Sequence, residues 1–522
     1  MSDEILDDHR WQRTTLVPPM VDAVGESLKP VKWSQEQMPE FLWIALLYRE
    51  LGGRQAVGII KKCSEEAEEI SEDNGFLVSS DYLSLSDDEL EAIKENLSER
   101  VIDDLSTALG PINAHYPSFP QRKLCDEIPD PHDSHLEHLA DIVHDMSDRT
   151  SELATHVQGI YIGSLMATGQ LVISEDQELT EINDVFQYPE TEQSRKMGSI
   201  VRAATKANTA SKIDEENDTW VKDFWKRGYE ITDCIFPPEL QEGTDEEDEY
   251  PQEEFFEALA DFGYEYDQDL RSSLLELWQE AEYDPEFTGK NEVLDGLLLR
   301  QVNLVTNLAT TPQMWSYDIS HIVLRCMTEN QITLEWFNQN CTEEDYQAFI
   351  KYGLGQEKLM LEHMSNYLSG YEGEKIDIER GIEEMEEHLD GQRYRFLTPV
   401  DVGHWADKNT RELAQEAGCK DLYDLRFNQY SAAVHAQWNF IEKTNVVRCH
   451  NPLHQYHKIP DFRPVQKVPF AVVEGGNLMN RSIDSWMQAR DIGDVDFEIY
   501  DLAGTVKEFL LDRSESKDST QS

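Results

Sequence analysis

Basic residues are scarce in this 522-residue chain: 45 Lys and Arg stand against 104 Asp and Glu, so the formal net charge is -59. Cysteine is also rare, with seven residues and no CxxC pair. This argues against a disulfide framework or a zinc ribbon and for free thiols in a reducing compartment. The most apolar run, residues 41–48, is too short to cross a bilayer, and the acidic start MSDEILDDHRWQR lacks the apolar stretch of a secretory signal. We therefore expect a cytoplasmic protein that does not associate with membranes.

The acidic residues recur in nearly every segment rather than in one tail. Because 39% of the residues are hydrophobic and 10% aromatic, disorder is excluded for most of the chain. Such a charge destabilises a compact state by self-repulsion unless concentrated salt screens it. The composition thus favours a salt-adapted protein of a halophile over a localised acidic docking surface. In molar salt, the lack of a basic patch argues only weakly against nucleic-acid binding.

The pattern of apolar residues predicts a mainly α protein with two helical-bundle domains. An N-terminal helical domain (1–236) precedes an acidic linker (237–285), because residues 241–270 contain thirteen acidic residues and no Lys or Arg. One short helix is expected in the linker, around residues 255–262. A C-terminal bundle (286–465) follows. The tail (466–522) has two short β-like stretches, VPFAVVE and DFEIYDL, which could pair as a hairpin, and a polar end that we expect to be disordered.

Several helices are predicted individually. Pro39 and the pair Gly52–Gly53 bound the first, and Ser86 with Glu89 forms a capping box before another. Further helices are expected at residues 135–167, 192–210, 219–234, 291–310, 315–338, 342–369, 377–389 and 422–443.

Charged or polar residues lie in or beside the apolar stripes of three C-terminal helices. Glu357 falls inside the stripe of the helix that begins near Thr342, and Glu329 and Arg325 fall in or beside that of the helix 315–338. Ser431 and His435 flank the apolar face of the helix 422–443. Since a lone buried carboxylate is strongly penalised, these side chains are expected to meet and pair in one core.

Two interpretations of this constellation remain open. It is either a satisfied polar network that fixes helix register or a catalytic site in which His435 acts as a general acid or base. In the catalytic interpretation, a carboxylate would set the tautomer of His435, and Arg325 would stabilise charge on a phosphate in the transition state. Glu329, Glu357 and Ser431 are the other candidate site residues.

Four segments carry a resemblance to a known family. RCMTENQITLEWF (325–337), FIKYGLGQEKL (349–359), LYDLRFNQYSAAVH (422–435) and CHNPLHQYH (449–457) resemble a family of uncharacterised, helical prokaryotic proteins, over about residues 290–460. That family is similar in layout to HEPN-type helical domains, several of which are RNases of toxin and antiviral systems. The resemblance implies a helical bundle and a defence-associated role. The HEPN nuclease signature places an Arg at 428, 429 or 430 relative to His435, whereas this chain has Asn428, Gln429 and Tyr430.

Two histidine-rich segments offer metal ligands. Cys449, His450, His454 and His457 supply soft and imidazole donors within nine residues, but their spacing matches no closed zinc motif. His132, His135, His138 and His144 follow at helical spacing, for which a solvated helix start is the simpler interpretation. We therefore assign no metal ligand and no cofactor. Phosphate-loop, dinucleotide-binding, serine-hydrolase and zincin motifs are absent from the sequence.

We thus expect a salt-adapted helical protein that acts as an interaction or defence-associated module and binds a protein or RNA partner, with an oligomer possible. The first alternative is a metal-independent RNase that uses His435. The second is a metal-dependent enzyme at His450, His454 and His457.

Overall fold

The computed structural model describes most of the chain. The described residues are 10–12, 15–17, 32–71, 76–171, 178–209, 219–238, 252–282, 285–339, 341–371, 373, 376–392, 399–401, 403–493 and 499–518. Within them the fold is mainly α, as predicted, and no helix is both long enough and apolar enough to cross a membrane.

The chain divides into two compact units, and the second is interrupted by a short return to the first. Unit 1 comprises Met1–Gln241 and Arg448–Ile459, and unit 2 comprises Glu242–Val447 and Pro460–Ser522. Strands β3 (Val446–Arg448) and β4 (Lys458–Pro460) span the two ends of this return, and they form a two-stranded sheet. A segment of only twelve residues, 448–459, therefore belongs to unit 1 although its chain neighbours belong to unit 2.

Unit 1 is a helical bundle with a small antiparallel hairpin near the N-terminus, in which Arg10 pairs with Val17. Its strands and helices are β1 (Arg10–Gln12), β2 (Thr15–Val17), α1 (Leu42–Leu51), α2 (Gly53–Ser71), α3 (Asp87–Asn96), α4 (Glu99–His115), α5 (Asp133–Ser147), α6 (Glu152–Ala167), α7 (Glu192–Thr209) and α8 (Thr219–Ile231).

The core of unit 1 forms around α1, in which the first six side chains are buried. Helix α1 ends at Gly52, whose φ of 80° is readily adopted only by glycine. The predicted capping box is confirmed, since the Ser86 and Glu89 side chains each accept the other residue's backbone N–H at the start of α3. Leu453, from the returning segment, is 1% exposed and packs in this same core.

Unit 2 is a larger helical bundle. Its helices and the two crossing strands are α9 (Gln252–Glu280), α10 (Thr288–Thr310), α11 (Tyr317–Phe337), α12 (Glu343–Gly370), α13 (Ile376–Gln392), α14 (Thr410–Glu416), α15 (Asn428–Val434), α16 (Trp438–Thr444), β3 (Val446–Arg448), β4 (Lys458–Pro460), α17 (Phe470–Ala489) and α18 (Leu502–Asp518). The helices predicted at 291–310, 315–338, 342–369 and 377–389 are confirmed as α10 to α13.

The acidic segment contains a much longer helix than the sequence predicts. Helix α9 has 29 residues, and Leu259, Tyr266, Leu270 and Leu277 form a buried stripe in the core of unit 2. The acidic side chains between them obscured this stripe because they dominate the composition of the segment. The remainder of the predicted linker includes residues 239–251, which lie outside the described residues.

The prediction of a β-like C-terminal tail is wrong in part. VPFAVVE enters α17, where Val472 and Val473 are buried and the helix packs against α10, α11 and α18. Packing against three helices outweighs the β preference of the valines. The second stretch, DFEIYDL, includes residues 496–498, which lie outside the described residues, and ends in the first residue of α18. Helix α18 then continues to Asp518, into the end that we expected to be disordered.

The predicted helix 422–443 is not continuous. A π-helical turn (Leu422–Phe427) leads into α15, which ends at His435, and Ala436 adopts a left-handed φ of 48° before α16 begins. Phe427 and Tyr430, on the apolar face of the predicted helix, are buried, but Val434 and Trp438 on the same face are 46% and 59% exposed. The extrapolated apolar face ends at this break because the helix phase is lost there.

Candidate functional site

Three of the five predicted site residues meet in unit 2. The Arg325 Nε donates to Ser431 Oγ at 2.8 Å, and its Nη1 donates to Glu329 Oε2 at 2.8 Å. The guanidinium also lies over the Phe427 ring, with Cζ 3.2 Å from the centroid. Thr410 Oγ1 donates to the other Glu329 oxygen at 3.3 Å. This group, the Arg325 network, joins α11, α14 and α15.

Glu357 does not join the Arg325 network. Its carboxylate lies 3.5 Å from His388 Nε2, between α12 and α13, and its side chain is 45% exposed. The prediction that Glu357 is buried is therefore wrong. The stripe of α12 is only partly covered, since Tyr346, Gly355 and Leu361 are the buried residues of that helix. Oε2 of Glu357 is shielded from solvent, but the rest of its side chain is not.

His435 also lies apart from the network. It is the C-cap of α15, its side chain is exposed, and within the described part of the chain that side chain makes no hydrogen bond or ion pair. The helix break at Ala436 accounts for this, because a continuous helix was the reason for placing His435 beside the core. Among the described residues, no carboxylate pairs with His435, and a role for His435 in RNA cleavage stays a prediction.

A second constellation lies wholly in unit 1. Four side chains, those of Cys234, Cys449, His454 and His457, each direct one donor atom to a common point, and these atoms all lie within 4.8 Å of one another. Cys234 Sγ is 3.6 Å from His454 Nδ1 and 3.4 Å from His457 Nε2. Cys449 Sγ is 3.8 Å from His454 Nδ1. Among the described residues this is the one group of three or more Cys, His, Asp or Glu arranged to hold a metal ion.

This cluster differs in one member from the group that the sequence suggested. His450 is exposed, and its backbone N–H donates to the Ile235 carbonyl, which aligns the returning segment beside residue 235. Cys234 takes its place. Sequence reasoning missed Cys234 because it lies 220 residues before His454 and has no second Cys or His at a ligand spacing.

Hydrogen bonds from the end of α8 orient His454. The Nε2 of His454 lies 3.2 Å from the Thr232 carbonyl oxygen and 3.0 Å from its hydroxyl. Donation of the Nε2 proton to this carbonyl leaves the lone pair of Nδ1 facing the two sulfur atoms. Metal-ligating histidines are commonly oriented in this way, by a carbonyl or carboxylate behind the ring.

The loop from Cys449 to His457 is closed by its own backbone. The Cys449 N–H donates to the His457 carbonyl at 2.7 Å, and Gln455 and Tyr456 both adopt left-handed φ values, of 55° and 52°. Non-glycine residues take such values at a cost that the surrounding structure must offset. Here Asn451 Nδ2 donates to the Asp233 carbonyl at 2.8 Å, and the Arg448 guanidinium lies 4.1 Å from the centroid of the Tyr456 ring. The loop is thus held in one shape from several sides.

Helix α8 shields one side of the cluster. The Tyr229 ring stacks on His454, with centroids 4.4 Å apart, and its hydroxyl donates to the His454 carbonyl at 3.0 Å. Gly228 permits this approach, since a Cβ atom there would lie 2.4 Å from the Leu453 carbonyl oxygen. Cys449 and His454 are consequently buried, whereas Cys234 is exposed.

The surroundings shift the pKa of two of the four groups. Burial lowers the pKa of His454, so its imidazole is held in the neutral, metal-binding form. Partial burial and the neighbouring Cys449 sulfur raise the pKa of the Cys234 thiol. A cation at the common point would reverse this second effect, because coordination deprotonates a thiol.

The other histidine-rich segment has different roles in the structure. His132 is the N-cap of α5 and accepts the Ser134 N–H, and Nδ1 of His144 contacts the Tyr456 hydroxyl. The His132 and His135 ring centroids are 6.2 Å apart. The interpretation of this segment as a helix start agrees with these contacts.

One comparison with known proteins gives a match. Residues 291–452 match the model of a family of unknown function (DUF5677), which covers most of the predicted C-terminal bundle and includes the Arg325 network and Cys449. No curated protein and no solved structure matches the chain significantly. The chain is thus similar, over that region, to a family whose function is itself unknown.

Proposed function

We propose that the protein binds one zinc ion through Cys234, Cys449, His454 and His457, and that the metal fastens the returning segment 448–459 into unit 1. The observation that carries the proposal is the convergence of these four donor atoms within 4.8 Å.

The separations agree with a tetrahedral ion. Bonds of about 2.3 Å to sulfur and about 2.0 Å to nitrogen, at tetrahedral angles, place sulfur and nitrogen about 3.5 Å apart. The three sulfur–nitrogen separations are 3.4, 3.6 and 3.8 Å. Two thiolates and two imidazoles form a common zinc ligand set, and the mixture of soft and borderline donors disfavours magnesium and calcium.

A structural role fits the ligand count better than a catalytic one. A catalytic zinc ion keeps one coordination position open for water or substrate, whereas four protein ligands fill a tetrahedral shell. The metal-dependent enzyme considered from the sequence required His450, which lies on the surface.

The position of the site in the chain explains what the metal would contribute. Closing a loop of more than two hundred residues costs conformational entropy, and this cost grows with loop length. A metal ion that holds such a long loop closed therefore contributes more stability than one that closes a short loop. One ligand from the residues just after α8 and three from the returning segment make zinc binding part of the folding free energy of unit 1.

Metal analysis of the full-length protein tests the proposal. After equilibration with zinc and removal of the excess, wild type is expected to retain about one zinc ion per chain. Cys449→Ser should lose most of it, because the serine hydroxyl is a poor zinc ligand.

His450→Ala is the matched control, since His450 is next to a ligand but outside the cluster, and it should retain zinc as wild type does. A wild type that holds no zinc, or equal retention by Cys449→Ser and wild type, would contradict the proposal. Replacement of zinc by Co²⁺ adds an independent readout, because a thiolate-to-cobalt charge-transfer band reports sulfur ligation.

A further inference from the structure

The two sulfur ligands of the proposed zinc site differ in their access to solvent. Cys234 is exposed, Cys449 is buried at 0% exposure, and their sulfur atoms lie within 4.8 Å of each other. A solvent-accessible thiolate with a second cysteine behind it is the arrangement of redox-sensitive pairs, in which one cysteine is oxidised and the other resolves it.

We propose that this site is a peroxide-sensitive switch, in which Cys234 and Cys449 are oxidised to a disulfide and the zinc ion is released. This inference rests on the proposed function, since it assigns a regulation to the same site.

The electrons and atoms balance with one peroxide. The Cys234 thiolate attacks a peroxide oxygen, the O–O bond breaks, and a sulfenic acid and hydroxide form. The Cys449 thiolate then attacks the Cys234 sulfur, an S–S bond forms, and a second hydroxide leaves. Two protons convert the hydroxides to water. The two sulfurs are thereby oxidised by two electrons, the peroxide is reduced, and zinc loses two ligands.

Four of the five other cysteines are expected to react more slowly than this pair, and the fifth, Cys326, is only partly exposed. Burial raises the pKa of Cys63 and of Cys341 to about 12, and that of Cys125 and of Cys419 to about 11. These four remain thiols at neutral pH and react slowly, because the thiolate is the nucleophile. Zinc holds both of its sulfur ligands as thiolates.

Oxidation should loosen the returning segment without releasing it entirely. The disulfide keeps residue 449 tethered to residue 234, and Leu453 remains in the core of unit 1. His454 and His457 lose their common ligand. The left-handed residues Gln455 and Tyr456 then lose one of the contacts that hold them. The largest change is therefore expected at residues 454–457.

The test treats the zinc-loaded full-length protein with hydrogen peroxide. A chromogenic chelator measures released zinc, and peptide mass spectrometry identifies the cysteine products. We expect release of about one zinc ion per chain together with a disulfide between the Cys234 and Cys449 peptides, reversed by dithiothreitol and zinc. Hydrogen exchange should increase at residues 454–457.

Two variants sharpen the test. Cys234→His retains a zinc ligand but cannot form the disulfide, so it should keep its zinc in peroxide. Cys341→Ser removes a thiol outside the site and should release zinc as wild type does. Zinc that stays bound to wild type in peroxide, or zinc release with no Cys234–Cys449 disulfide, overturns this inference alone. A protein without zinc before the treatment overturns the proposed function and this inference with it.

Discussion

Single residues in the last turn of α8 and just after it limit how the returning segment can approach. Gly228 faces the Leu453 backbone, and Tyr229 covers the His454 ring. The Thr232 carbonyl orients Nε2 of His454. None of the three is a ligand, yet each limits where the imidazole can lie. Mutation of such supporting residues commonly weakens metal binding by about 10- to 100-fold.

Gly228→Ala tests this support without changing a ligand. The new Cβ atom would lie 2.4 Å from the Leu453 carbonyl oxygen, which is closer than these atoms can approach. We expect the segment to shift, the zinc affinity to fall, and the free energy of unfolding to drop by about 1–3 kcal/mol. Urea unfolding and competition with a chelator measure the two effects.

Gly58→Ala is the control in the same unit, because a Cβ atom at this position within α2 meets no atom within 4 Å. Replacement of an interior helix glycine by alanine should stabilise the protein by up to about 1 kcal/mol. If Gly228→Ala behaved in the same way, the close approach of α8 to the returning segment would be wrong.

Among the helices, the break between α15 and α16 has the largest effect on the candidate sites. It turns His435, Val434 and Trp438 to the surface, while Ser431, one turn earlier, stays with Arg325. The Arg325 network thus ends where the regular helix ends.

Ala436→Gly distinguishes this break from the continuous helix that the sequence predicts. A left-handed alanine is strained by roughly 1–2 kcal/mol, so glycine at residue 436 should raise the free energy of unfolding by about 1 kcal/mol. In a continuous helix the same change would lower it by about 1 kcal/mol. Chemical denaturation decides the sign.

Ala432→Gly provides the comparison, because Ala432 is buried within α15. This variant should be destabilised in either case, by about 1 kcal/mol or more. A loss of stability in both variants would support a continuous helix and contradict the break at Ala436.

The helices could be predicted wherever a regular stripe and a terminal signal coincide. Ser86, Gly52 and the capping box at Thr342 and Asp345 mark ends that the structure retains. The break at Ala436 could not be predicted, because no glycine or proline marks it. The local pattern wrongly predicts a strand at the valines of α17, because their conformation depends on burial against other helices, which a local pattern does not show.

The candidate sites, too, could be predicted only where local helix geometry decides the position of a side chain. Arg325 and Ser431 could be predicted to meet because each is turned toward the core on a regular helix. Glu329 joins them because it lies one helical turn from Arg325, although its side chain is 48% exposed. Glu357 could not be placed, because the cover over α12 depends on distant segments. The group of Cys and His side chains could be predicted only in part, since Cys234 joins residues 449–457 through tertiary folding.

For the molecule as a whole, the net charge of -59 remains the dominant electrostatic feature. Most ion pairs among the described residues lie at the surface, such as Lys61 with Glu65 and Arg380 with Asp377, and exposed pairs contribute little. Local pairing therefore does not offset the repulsion between the excess carboxylates. Salt adaptation remains a prediction from the composition.

The free energy of unfolding should consequently increase with potassium chloride. The Debye length falls from about 10 Å at 0.1 M to about 3 Å at 1 M, so repulsion between surface carboxylates is suppressed. Thermal or urea unfolding over this range measures the increase. Sucrose controls for general exclusion of solutes from the protein surface, because it carries no charge. Equal stability at both salt concentrations would contradict salt adaptation.

X-ray absorption at the zinc edge of the purified, reduced full-length protein tests the central claim most directly. The predicted first shell contains two sulfur atoms at about 2.3 Å and two imidazole nitrogen atoms at about 2.0 Å. A shell of oxygen and nitrogen alone, or no zinc signal after equilibration with the metal, would contradict the assignment of Cys234, Cys449, His454 and His457 as its ligands.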